Sequence, residues 1–286
     1  MRSFFTRSSE AKAPPPEERP KLELSGPLLK AGVEFLVKSC ESAGGVERYV
    51  EALKFKSSFF REAFDEKGKN LDAERFAKLC MFMPTVRRRI EAYLESDGKF
   101  AELHVAIRGI FEAGSTDEAI AGFCAAFPND KKHRWVRDLA AEILHNCDPE
   151  RQPLMCRWVW DRKANTGVIR EVWHGNVDHL NIDVDDDAET FIMLREELSQ
   201  FLTENGMYRD VIWYVDLLCG QIYATYVSSQ GGTYLRTDFA SEEDQGVILR
   251  RLLGLDGVPA KCARFGGADL EGSAERVDPL KLITRH

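Results

Sequence analysis

The chain has 286 residues, 44% of them hydrophobic and 30% charged, and a formal net charge of −8. That length and apolar content can bury a sizeable core, and at about 100 to 200 residues per domain they predict two domains and exclude a chain that is disordered throughout. The acidity sits in the second half, with 15 basic against 22 acidic residues over 151–286, so the surface as a whole repels phosphate and disfavours nucleic acid or anionic membrane as a general partner.

No segment reaches the roughly 20 consecutive apolar residues of a membrane span, and the N-terminus has no apolar run of signal-peptide length. The seven cysteines are spread singly, with no CxxC pair and an odd total. That is the usage of a reducing compartment, and a cytoplasmic protein is the expectation.

Residues 1–24, with Pro14-Pro15-Pro16 and Pro20 among charges, read as a flexible tail. From 25 to 148 apolar residues recur at helical spacing, which predicts a domain of about six helices. These run over Leu28–Cys40, Val46–Phe64, Leu71–Leu94 with a break at Pro84, Lys99–Glu112, a fifth opened by a Ser115/Glu118 capping box, and a sixth capped by Asp130.

The rhythm changes after Pro153. Segments 155–160 and 168–173 flank the turn Ala164-Asn165-Thr166-Gly167 and predict a β-hairpin. Val211–Val215, Gln221–Ser228 and Thr233–Phe239 add strands through their β-branched and aromatic content, although 209–219 also suits a buried helix. Ala188–Glu204 and Ser241–Leu255 read as amphipathic helices. The predicted fold is therefore α+β, an all-helical domain followed over 149–286 by an antiparallel sheet with covering helices.

The densest chemistry lies between Trp173 and Asp187, where two histidines and five aspartates precede a helix. In an extended strand alternate residues share a face, so Asp183 and Asp185 can hold Mg²⁺ or Mn²⁺, with Asp178 as a further ligand and His174 or His179 as ligand or general base. The competing reading is structural: Asp187 caps the helix at Ala188, and its acidic neighbours complement the positive helix end.

Trp158 and Trp160 share one strand face, with Trp173 opposite. Together with Arg157 and Arg170 they form a candidate binding surface for a protein partner or a stacked base. Two basic runs, Arg87-Arg88-Arg89 and Lys131-Lys132-His133-Arg134, would make a binding face for an acidic partner or RNA if both turned the same way. No Walker loop, GxGxxG, GxSxG or HExxH motif is present. The composition and these absences point to an accessory or regulatory protein acting through protein–protein contacts. A metal-dependent hydrolase of phosphate esters or nucleic acid and an RNA-binding module are the alternatives.

Overall fold

The computed structural model describes residues 22–41, 43–175, 180–234, 242–256, 258–259 and 276–277. Among the described residues the architecture is mainly helical. The first half follows the punctuation of the sequence. Helix α1 (Gly26–Glu41) turns into α2 (Val46–Ala63) through Gly44 and Gly45, whose φ values of +96° and +101° suit glycine. Asp72 caps α3 (Ala73–Cys80) by accepting from Arg75 N at 2.7 Å. Pro84 falls in a run of turns before the single-turn α4 (Glu91–Leu94).

Ser96 opens α5 (Asp97–Ile110) and Ser115 opens α6 (Thr116–Ala125), each hydroxyl accepting the amide three residues on. Glu118 reaches back to Gly114 N at 3.2 Å, one residue short of a standard capping box. A 3₁₀ turn at Lys131–His133, capped by Asp130, leads into α7 (Trp135–Cys147).

The second half overturns the expected sheet. The segment meant to be the second hairpin strand coils into α8 (Val168–Glu171), and consecutive burial at Val168, Ile169 and Val172 suits a helical turn, since a strand covered on one face would bury only alternate residues. The turn between the segments is real: Asp161 and Thr166 exchange both backbone hydrogen bonds, at 2.9 and 3.3 Å. Gly167 then passes so near Val159 that a Cβ would stand 2.6 Å from its carbonyl oxygen. Asp187 caps α9 (Ala188–Glu204), accepting from Thr190 N at 3.0 Å as the sequence led us to expect.

The segments 211–215 and 221–228 are one continuous helix, α10 (Val211–Tyr234), which also takes in the start of the third expected strand; residues 235–239 lie outside the described ones. Helices α1, α2, α8, α9 and α11 (Glu242–Leu252) all pack against it. A helix covered on so many sides has no polar stripe, so its sequence lacks the 3.6-residue period that marks a surface helix. The described strands are only two dipeptides, Val258–Pro259 and Arg276–Val277, paired antiparallel.

The expected division into two domains also fails. One apolar core runs from Leu22 to Leu255, and α1 and α2 both pack on α10 across the proposed boundary. The end of α11 is tied to the turn after α3. Gly254, at φ +72°, lies where a Cβ would stand 1.7 Å from Phe82 O, and Arg87 grips Asp256 with two hydrogen bonds of 2.8 and 2.7 Å.

Charged groups cross this core in pairs. Lys56 Nζ of α2 donates to Glu142 Oε2 of α7 at 2.8 Å and to Leu253 O at 3.0 Å, and Asn146 Nδ2 supplies a further donor to Glu142 Oε2 at 2.9 Å. Nearby, His145 Nδ1 donates to Gln152 O at 2.8 Å, which leaves Nε2 facing Asp216 Oδ2 of α10 at 3.0 Å. Burial alone would lower the His145 pKa. The Asp216 carboxylate and the Gln152 carbonyl outweigh it, and the net direction is upward.

Candidate anion-binding groove

Among the described residues, those singled out in the sequence are not gathered into one site. Asp183 and Asp185 do share a face, but both meet the guanidinium of Arg162, Asp183 at 2.7 Å. An arginine thus stands between the two carboxylates proposed for Mg²⁺ or Mn²⁺. Asp178 and His179 lie outside the described residues. His174 is exposed and is held by its backbone, donating to Glu23 O at 2.6 Å. Among the described residues no three His, Cys, Asp or Glu side chains converge as they would on a metal ion.

The indoles do not make a platform either. Trp160 is fully buried and donates Nε1–H to Val184 O at 3.1 Å. Trp158 is buried against Tyr223, with ring centroids 5.9 Å apart. Only Trp173 is half-buried, its backbone bridged to Leu24. Arg170 Nη1 donates to Leu180 O at 3.0 Å. Arg157 lines a substantial cleft.

That cleft, about 790 Å³, lies where the end of α6, the turn before α7 and the loop around 157–164 meet. Its wall carries more cations than carboxylates. Arg134 Nη2 donates to Asp161 Oδ2 at 2.7 Å, and Arg157 Nε stands 4.0 Å from the same oxygen. The other Asp161 oxygen accepts from Ala164 N at 3.0 Å, so this buried carboxylate closes the loop that carries Lys163. Arg137, one helical turn beyond Arg134, holds the carboxylate and backbone carbonyl of Asp186 through its terminal nitrogens, while its buried Nε has no hydrogen-bond partner.

Asp130 accepts from the amides of Lys132 and His133 and from His133 Nδ1 at 2.8 Å; the imidazole contact holds its carboxyl below the usual range. Lys131 and Lys163 line the same cleft, and neither has a carboxylate partner among the described residues. Five cations (Lys131, Arg134, Arg137, Arg157, Lys163) therefore face three carboxylates (Asp130, Asp161, Asp186), a local excess of +2 on a chain of −8. The first turn of α7 adds the positive end of its dipole.

A second, half-open trough of about 490 Å³ adjoins the first and shares Phe127, Pro128 and His133 with it. Its floor is apolar. Tyr93, Phe127 and Trp135 meet edge to face, with centroids 5.6 to 6.0 Å apart, beside Leu103 and Ala106 of α5. Arg89, Lys99 and Lys132 stand among its lining residues. The two basic runs are thus brought together in part: Arg89 joins Lys132, whereas Arg87 turns inward to Asp256.

Sequence reasoning noted both runs but missed Arg137, Lys163 and the aromatic floor. The signal it had was the spacing of Arg134 and Arg137, three apart and therefore on one side of a helix. The chain matches no family model, no curated protein and no solved structure in comparisons with each.

Proposed function

We propose that this is a cytoplasmic accessory or regulatory protein that binds an acidic segment of another protein in the groove beside α7. One observation carries the reading: a cleft with a local excess of positive charge, including Lys131 and Lys163, which have no carboxylate partner among the described residues, on a chain that is acidic as a whole. Cations held in a concave wall attract an anionic ligand, and opposite charge at an interface selects partners as well as speeding encounter. Cysteines that are unpaired thiols among the described residues agree with a reducing compartment. No helix among them is long and apolar enough to cross a membrane.

A protein segment suits the groove better than a nucleic acid. Binding single-stranded nucleic acid draws on open aromatic faces, whereas the three rings here turn toward one another. The acidic remainder of the chain would repel a long polyanion passing over it.

The test is fluorescence anisotropy with a labelled glutamate-rich peptide. The wild-type protein is expected to bind it, with affinity falling as salt rises. Reversing charge in the Lys131→Glu, Lys163→Glu double variant should weaken binding at least about tenfold, equivalent to about 1.4 kcal/mol. Both lysines are exposed, so the melting temperature should barely move. Equal binding by variant and wild type would sink the assignment to this groove.

A further inference from the structure

We infer that the groove reads a bipartite segment, in which acidic side chains sit in the cleft at Arg134 and Lys163 while a neighbouring aromatic or long aliphatic side chain fills the trough over Tyr93, Phe127 and Trp135. The inference rests on the groove reading above and adds the class of sequence that the groove selects.

Its basis is the contrast between adjoining lobes. The first sets five cations against three carboxylates, whereas the second has an aromatic floor lined by Arg89, Lys99, Lys132 and the single carboxylate Glu102. Phe127, Pro128 and His133 line both, so one extended ligand can reach from one lobe into the other. Ala106 is half-buried in the floor and Ala92 is exposed among the trough's lining residues. These small side chains leave room that a ligand side chain can take.

An aromatic anchor in such a pocket contributes a disproportionate share of binding energy, because it is desolvated while its surroundings exclude water. Arg89 and Lys132 favour carboxylates on either side of that anchor.

The experiment compares three labelled probes on the full chain: a glutamate-rich peptide with one central Trp, the same peptide with Ala in place of Trp, and a single-stranded oligouridylate. The Trp peptide is expected to bind at least about tenfold more tightly than the Ala peptide. Filling the trough with Ala106→Trp should erase that difference. Ala92→Trp, at an exposed position, provides the same test should Ala106→Trp fail to fold. Equal affinity of the two peptides overturns the bipartite inference and leaves the acidic-segment reading standing. Failure of both peptides to bind overturns both readings, and so does tighter binding of the oligouridylate than of either peptide.

Discussion

Lys56 and Lys131 carry the same charge in opposite circumstances. Lys56 is 3% exposed, and its ammonium meets a carboxylate and a carbonyl within 3.0 Å. Lys131 is exposed at the mouth of a cleft and has no carboxylate partner among the described residues. The buried layer between α2, α7 and α10 spends its charges on one another, so it can specify how the helices dock but has little left to offer a ligand. The groove does the reverse. Arg134 and Arg137 are anchored by Asp161 and Asp186, whereas Lys131 and Lys163 face solvent.

This contrast is sharpest under mutation. Lys56→Ala leaves Glu142 buried without its cation and should destabilise by about 3 to 5 kcal/mol, read from urea unfolding. The Lys56→Met, Glu142→Leu double variant should recover most of that loss, since an apolar pair of similar volume avoids the desolvation cost. If the double variant is no better than the single ones, the layer does more than satisfy itself.

Gly254→Ala should cost at least about 2 kcal/mol, because the residue sits at φ +72° with the Phe82 carbonyl in the way of a Cβ. Asp72→Ala removes the cap of α3 and should cost about 1 kcal/mol, again visible in the urea midpoint. Arg162→Ala tests the other extreme. Its contacts with Asp183 and Asp185 are exposed, and the loss should stay below about 1 kcal/mol.

The buried layer also has a pH signature of its own. Protonated His145 faces Asp216, with Glu142 adding to the negative field, and its pKa is raised above the ordinary 6.5. The stability this contributes is therefore complete below about pH 6.5 and is lost as pH rises through the higher folded-state value. Urea midpoints should fall over that interval in the wild type and hold steadier in His145→Gln. A wild-type midpoint that rises with pH there would show that the imidazole is buried neutral.

Reading the chain succeeded where local chemistry decides structure. Ser115, Asp130 and Asp187 take the capping positions read for them, and glycine breaks the chain between α1 and α2. Asp187 behaves as the structural reading of its acidic segment requires. Reading failed at Val211–Tyr234, whose Val, Ile, Trp and Tyr content suits a strand by propensity, because burial on many sides removed the period that distinguishes the two. It failed again at Trp158 and Trp160, where alternation implied a shared sheet face and the chain instead makes turns.

The groove was legible only in fragments. Lys131 to Arg134 stood out as a run, but a run of charge does not say what lies opposite it. The facing loop belongs to residues 157–164, and Asp186 comes from further along the chain. What the sequence determined by itself is the helices of the first half, their caps and the acidic balance, because each depends on residues within a few positions of one another. Tertiary structure decided that α10 is a helix, that one core serves both halves, and that scattered cations share a wall. Those outcomes depend on which distant surfaces exclude water together, and pairings between distant segments leave no periodic trace in either segment alone.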